Sequence, residues 1–125
     1  MQLAELLNQL LEIRGVTSAA VVRGDGELLE KASQRQVDIT FVTGLLASSL
    51  ASSRVLAGLL GDGEIIQIML EYEQGPVLLT PLPTGQTQGE GYLLVVTLDA
   101  VGNLGRARFQ LRKLLPSIAE ALAGT

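Results

Sequence analysis

The sequence predicts a single α+β domain over residues 1–125, in the order α-β-β-α-β-β-β-α. Leucines at helical spacing open the chain and similar patterns return in two later segments, while short alternating or unbroken apolar runs lie between them. An Asp-Gly pair between two of these runs is typical of a hairpin. The run YLLVVTL is almost wholly apolar, which predicts a central strand covered by helices on both faces of the sheet.

The first three elements follow from local patterns. Gly15 ends a first helix whose leucines share one face, with polar residues on the other. The segment around Gly24-Asp25-Gly26 predicts strands at about 18–23 and 27–32. The leucines of that first helix are Leu3, Leu6, Leu7, Leu10 and Leu11.

The second helix is expected to begin near Asp38, a capping residue, and to run to Leu60 before Gly61. Alternation in EIIQIMLEY predicts a third strand. A fourth strand, VLLTPLP, should be irregular or end near Pro81 and Pro83, because proline donates no ladder hydrogen bond.

The polar, glycine-rich segment TPLPTGQTQGEG is interpreted as a loop before the fifth strand, YLLVVTL. The last helix is expected over about 104–122, with a kink or a restart at Pro116. Its basic residues Arg106, Arg108, Arg112 and Lys113 favour a solvated outer face over contact with an acidic partner.

Composition excludes several functions. The chain has 125 residues, 47% of them hydrophobic, a net charge of −4, and neither cysteine nor histidine. Catalysis or metal binding through thiolate or imidazole is therefore excluded, and the acidic balance disfavours nucleic acid. No P-loop motif occurs. Without a signal peptide or an evident membrane span, we expect a cytoplasmic protein with no metal, no cofactor and no direct membrane insertion.

The element order, together with GVTSAAVVRGDGELLE across the first hairpin, resembles the roadblock/dynein light chain family, and within it the MglB-like prokaryotic regulators. The resemblance covers essentially the whole chain. It implies a five-stranded antiparallel sheet in the order 2-1-5-4-3, with helices one and three on one face and helix two on the other. It further implies a homodimer with antiparallel second helices and edge-to-edge third strands, often binding a small Ras-like GTPase. MglB-type chains tend to be longer, with added terminal segments, whereas this sequence is close in length to the minimal domain.

The second helix also carries a stripe of small residues at spacing 4-3-4-3, which favours close approach of another backbone. The stripe comprises Gly44, Ser48, Ala51, Val55 and Gly58. One interpretation is a dimer seam and the other is close packing on the chain's own sheet. Because Leu45, Leu46, Leu50, Val55, Leu56 and Leu59 supply a bulky set for the sheet, the seam is favoured.

With the resemblance, the third strand is expected to pair with its twin through Ile66, Ile68 and Leu70. Arg54 and Ser52 on the second helix are the predicted contacts to the GTPase, without an arginine-finger role. The favoured function is therefore a non-catalytic GTPase regulator. A scaffold without effect on GTP turnover and a small-molecule sensor remain alternatives, and an enzyme is the least favoured reading.

Overall fold

The computed structural model describes residues 2–33, 42–61, 63–82, 91–100 and 104–123. Three helices and five strands occur in these ranges, in the predicted order. The helices are α1 (Leu3–Leu11), α2 (Thr43–Leu60) and α3 (Leu104–Ala123), and the strands are β1 (Val16–Arg23), β2 (Leu28–Ser33), β3 (Ile68–Tyr72), β4 (Gly75–Leu82) and β5 (Tyr92–Leu98). The predicted Asp38 cap and most of the predicted loop before β5 lie outside the described residues.

The strands form one antiparallel sheet in the order β2-β1-β5-β4-β3. This confirms the order that the family resemblance implied. The central strand, β5, is buried on both faces, with Leu94 fully buried on one face and Leu93 1% exposed on the other. The continuous apolar run is therefore explained by two-sided burial.

The two faces of the sheet carry cores of different size. The α1–α3 side is the larger, because leucines from both helices meet alternate residues of β1, β4 and β5. The α2 side is smaller, and Leu50 of α2 is packed there with Ala20, Val22, Leu79, Leu93 and Val95. Helices one and three thus share a face and helix two covers the other, as expected.

The ends of two strands differ from the prediction. β1 begins at Val16 rather than residue 18, because a register shift between Val16 and Ser18 extends its pairing with β5. At that irregularity the hydroxyls of Thr17 and Ser18 both bond the hydroxyl of Thr97.

β3 begins at Ile68, so Ile66 precedes the strand instead of belonging to it. The last pair of the β3–β4 ladder is Ile68 with Leu79, and the next hydrogen-bonding position would place Ile66 opposite Pro81. Proline has no amide hydrogen, so the ladder stops there.

The two prolines that were expected to interrupt elements lie inside them. Pro81 stays within β4, opposite Leu93 of β5, and the strand ends one residue later at Leu82. Helix α3 runs through Pro116 without a restart.

The β3–β4 hairpin depends on a glycine. Gly75 has φ +134°, and a Cβ atom there would stand 2.0 Å from the carbonyl oxygen of Leu98. Any side chain would therefore collide with β5 backbone. The glycine lets the hairpin lie close against the centre of the sheet.

Candidate interaction surface

The outward side of α2 is an apolar surface that nothing in the described chain covers. Among the 18 residues of this helix, only Thr43 and Leu50 are buried. The large exposed side chains include Leu59 at 81%, Leu45 at 68% and Val55 at 65%. Isolated apolar residues on a surface are ordinary, but a contiguous set marks an interface. We call the exposed side of α2, from Gly44 to Leu60, the α2 surface.

The predicted division of α2 into two faces needs correction. Leu50 is buried and Leu46 packs beside it, whereas Leu45, Val55, Leu56 and Leu59 are exposed. A helix advances about 100° per residue, so those six positions spread around more than half of its circumference and cannot all meet one sheet. The four exposed residues form a ridge beside the small-residue stripe, and we call these four residues the leucine ridge.

The stripe itself points away from the chain's own sheet. Gly44, Ser48, Ala51, Val55 and Gly58 are all exposed. A Cβ atom at either glycine would have no neighbour within 4 Å. Each glycine inside a helix costs about 0.8–1.0 kcal/mol relative to alanine. Packing on the chain's own sheet therefore does not explain these glycines, and the seam stays a prediction.

The start of α2 is held by the β1–β2 hairpin. A Cβ atom at Gly26 would stand 3.3 Å from Cα of Gly44, and Gly26 has φ +95°. The turn is organised by Asp25, which accepts from Arg23 Nη2 at 2.6 Å and from the Glu27 N–H at 2.9 Å. The Arg23 hydrogen bond, followed by the one from Glu27, lowers the pKa of the Asp25 carboxyl. Arg23 also forms an ion pair with Glu27.

α2 meets the length and composition of a membrane span, with a mean hydropathy of 1.3 over 18 residues, of which 11% are buried. The segment contains four serines, a threonine and an arginine, so it is not an unbroken apolar run, and the expectation of no direct membrane insertion stays a prediction. Length and composition are the only features that indicate a span. Inserting α2 in a bilayer would remove Leu50 from the sheet and expose Ala20 and Val22 to water.

The second part of the predicted interface is β3, which lies at the edge of the sheet. A two-residue turn makes Tyr72 and Gly75 a hydrogen-bonded pair, so Leu70 and Ile68 also bond to β4. By alternation, the backbone groups of Met69 and Glu71 point to the open side. This edge therefore offers two residues for pairing with another strand.

The side chains of the predicted β3 contacts have different environments. Ile66 is 76% exposed. Ile68 and Leu70 are half-buried and pack with the α2-side core. Their backbone groups bond to β4 and their side chains pack on the core, so they are not the contacts that the sequence predicted at the open edge. Of the three predicted residues, Ile66 is the one with an exposed side chain.

Arg54 and Ser52, the predicted contacts to a partner, are both exposed but not adjacent. Residues that are two positions apart in a helix lie about 160° apart around its axis. Ser52 lies within the leucine ridge, and Arg54 lies beyond the stripe, toward the sheet. The structure does not bring them together within one protomer, and the two would have to contact different regions of a partner.

Within the described ranges, no group of three or more acidic side chains is placed to hold a metal ion. The feature that sequence reasoning missed is the leucine ridge. Its signal was the spread of large apolar residues around more than half of the helix, which exceeds what one sheet can cover.

The roadblock/LC7 domain model matches residues 2–97. The chain belongs to the roadblock/LC7 family. No curated protein matches it by sequence. The roadblock fold is also evident from solved structures, which are similar in backbone and distant in sequence.

Three of these illustrate the similarity. Myxococcus xanthus MglB has a TM-score of 0.86 at 21% identity, with 98% of this chain and 96% of that chain covered. The gliding protein MglB of Thermus thermophilus has a TM-score of 0.83 at 20% identity, with 98% and 90% covered. A roadblock/LC7 domain from Streptomyces avermitilis has a TM-score of 0.80 at 18% identity, with 98% of each covered. At these identities the similarity establishes the fold.

Proposed function

We propose that the protein is a homodimer whose paired α2 helices bind a small Ras-like GTPase and regulate it without contributing catalytic residues. The observation that carries this proposal is the α2 surface, which exposes a small-residue stripe beside large aliphatic side chains. Membership of the roadblock family and the MglB-like fold support the same function.

The dimer uses two features at once. Antiparallel packing of two α2 helices along Gly44, Ser48, Ala51, Val55 and Gly58 removes apolar area from water, at roughly 25 cal/mol per Å². Pairing of β3 with its twin satisfies the outward backbone groups of Met69 and Glu71. Together they join two five-stranded sheets across a two-fold axis.

Regulation in this proposal is conformational. The joined α2 helices present the leucine ridge, with Ser52, and the cation of Arg54 to the GTPase. They act on its switch segments only if they bind one nucleotide state more tightly than the other. We place the complex in the cytoplasm, where such a GTPase is available.

The dimer is tested by Ser48→Arg and Ala51→Arg, each of which puts a long cation into the seam. We expect a monomer by sedimentation velocity with the far-UV circular dichroism spectrum unchanged. Glu120→Arg on the exposed side of α3 is the matched control and should leave the mass unchanged. A Ser48→Arg chain that keeps the native mass and stability would rule out the seam.

The function is tested with small Ras-like GTPases from the same organism, each loaded with GDP or with a non-hydrolysable GTP analogue. We expect at least tenfold tighter binding to one state and a changed rate of GTP hydrolysis, both lost with Ser48→Arg. Equal affinity for both states with an unchanged rate would instead identify a scaffold that leaves nucleotide turnover alone.

A further inference from the structure

Helix α2 is attached to the rest of the protomer at two places. Among its 18 residues only Thr43 and Leu50 are buried. Thr43 and Gly44 meet the β1–β2 turn, residues 24–27, at Gly26, and Leu50 packs on the α2-side core with Leu46 half-buried beside it. Because a helix rises about 1.5 Å per residue, Gly44 and Leu50 lie about 9 Å apart along the axis.

Beyond Leu50 the helix continues without another buried side chain. Every residue of the range 54–60 is exposed except Ala57, which is half-buried. Gly61 and Gly63 follow, and a Cβ atom at either would have no neighbour within 4 Å among the described residues. The direction of this part of α2 is therefore set by the two attachments that precede it.

The first attachment requires a residue without a side chain at position 26. A Cβ atom at Gly26 would stand 3.3 Å from Cα and 3.6 Å from N of Gly44. Carbon atoms in ordinary contact are about 3.5–4.0 Å apart. Any other residue at position 26 would therefore push the turn and the start of α2 apart, by roughly 0.2–0.7 Å.

The turn is held more firmly than the start of the helix. The Arg23 N–H donates to the carbonyl of Glu27 at 2.8 Å, and the Gly26 N–H donates to the carbonyl of Arg23 at 2.8 Å. The Asp25 carboxylate adds the hydrogen bonds described above. The N-cap residue of α2 is Val42, whose side chain accepts no hydrogen bond from the first turn of the helix. The start of the helix is therefore the side that moves.

We propose that Gly26 is a positioning residue for the α2 surface, because it fixes the direction of α2 relative to the sheet, with Leu50 as the pivot. Gly44 and Leu59 lie about 9 and 13.5 Å from Leu50 on opposite sides, so a shift at Gly44 reappears at Leu59 reversed and about 1.5 times larger. The movement involves one protomer only. Its effect on dimerisation rests on the proposed function, in which the small-residue stripe meets its copy.

The test locates the backbone of α2 relative to the sheet in a monomer, so every chain carries Ser48→Arg. The protein has no cysteine, and Lys31 is exposed on β2, so Lys31→Cys accepts a lanthanide tag at one site. Pseudocontact shifts of the α2 amides then report their positions. Gly26→Ala is compared with Gly91→Ala, a matched control: Gly91 also has a positive φ, +65°, but its Cβ would meet no described residue within 4 Å.

In Gly26→Ala the displacement of the α2 amides should be smallest at Leu50 and should increase toward both ends, with opposite directions at Gly44 and Leu59. Gly91→Ala should leave the amides of α2 in their native positions. A displacement that decays from Gly44 and is absent at Leu59 would overturn the proposal, because local strain alone produces that profile. Equal displacement in Gly91→Ala would overturn it as well.

A second variant tests whether the firm turn is what moves the helix. Asp25→Ala removes the acceptor that Arg23 and Glu27 share, so the turn becomes the side that yields. In the combined chain Asp25→Ala/Gly26→Ala the α2 amides should return toward their native positions. A combined chain displaced as far as Gly26→Ala would contradict the role of the turn.

The consequence for dimerisation is measured by sedimentation velocity in chains without Ser48→Arg. Gly26→Ala should weaken the dimer at least tenfold, whereas Gly91→Ala should leave its affinity native. A displaced α2 with native dimer affinity would support Gly26 as the positioning residue and contradict the seam. An α2 that stays in place would overturn the positioning role of Gly26 whatever the oligomeric state, so the two proposals fail separately.

Discussion

At the scale of single residues, the two glycines of α2 are the most informative. Gly44 and Gly58 both lie where a methyl group would enter open space in one protomer. Replacing such a glycine with alanine stabilises a helix, unless another helix occupies the space that the added methyl group would fill. In our proposal the α2 helix of the second protomer occupies this space.

We therefore expect Gly44→Ala and Gly58→Ala to affect protomer and dimer oppositely. The unfolding free energy of the isolated protomer should rise by about 0.8–1.0 kcal/mol for Gly58→Ala and by less for Gly44→Ala, because Gly44 is the second residue of the helix. Each should also weaken dimerisation at least tenfold, because the added methyl group separates the two backbones. Urea unfolding in the Ser48→Arg background gives the first quantity and sedimentation equilibrium gives the second.

Ser49→Ala is the matched control for both glycines, since Ser49 is bonded to Leu45 of its own helix at 2.8 Å and lies off the stripe. Its dimer affinity should be native. Unchanged affinity in Gly44→Ala and Gly58→Ala would show that the helices do not approach closely at the glycines.

Asp25 gives a prediction about pH. Its pKa is lowered by the hydrogen bonds from Arg23 and Glu27, so its stabilising effect is present above the unfolded-state pKa and disappears as pH falls through the folded-state pKa. The difference in unfolding free energy between native and Asp25→Asn chains should be constant near pH 7 and shrink in the acid range. Urea titrations at pH 7 and pH 3 measure it, with Glu5→Gln as a control. An equal difference at both pH values would contradict the ionic role of Asp25.

At the scale of elements, α2 and β3 show what the local sequence pattern predicts and what it misses. The helical period located α2, but its large apolar residues extend around more than half of the axis, so periodicity did not indicate which of them meet the sheet. Only the position of Leu50 over Ala20 and Val22 decides that. The start of β3 was missed because it depends on Pro81, a residue of the neighbouring strand. Element order was predictable from neighbours in sequence, whereas the exposed ridge and the strand end depend on neighbours in space.

The outward backbone of β3 leads to a matched pair of proline substitutions. Met69→Pro removes an amide hydrogen that points to the open edge, so the protomer should fold and edge pairing should weaken. Leu70→Pro removes a hydrogen that bonds to β4 and leaves its acceptor unpaired, so the protomer itself should lose about 1–3 kcal/mol of stability. Mass and unfolding free energy separate the two effects.

Met69→Ala controls for loss of the methionine side chain and should keep the native mass. If Met69→Pro also keeps that mass, the β3 edge takes no part in the dimer. If Met69→Pro unfolds the chain as Leu70→Pro does, the assignment of the outward backbone groups is wrong.

At the scale of the whole molecule, the proposed α2-mediated dimer would couple folding to association. Anything that binds only the folded state raises its apparent stability by mass action. The thermal midpoint of the native chain should therefore rise with protein concentration, and that of Ser48→Arg should not. Differential scanning fluorimetry across a hundredfold concentration range measures this. A midpoint that is independent of concentration in both chains would contradict an α2-mediated dimer.

The two edges of the sheet are unequal. β2 carries the charged residues Glu30 and Lys31, which discourage strand addition, whereas β3 exposes Met69 and Tyr72. A strand pairing that joins β3 to β3 leaves only the two β2 edges at the outside. In the proposed dimer the sheet would therefore double once and stop, because the remaining edges resist strand addition, and this would protect a chain with so much exposed aliphatic surface from growing into fibrils.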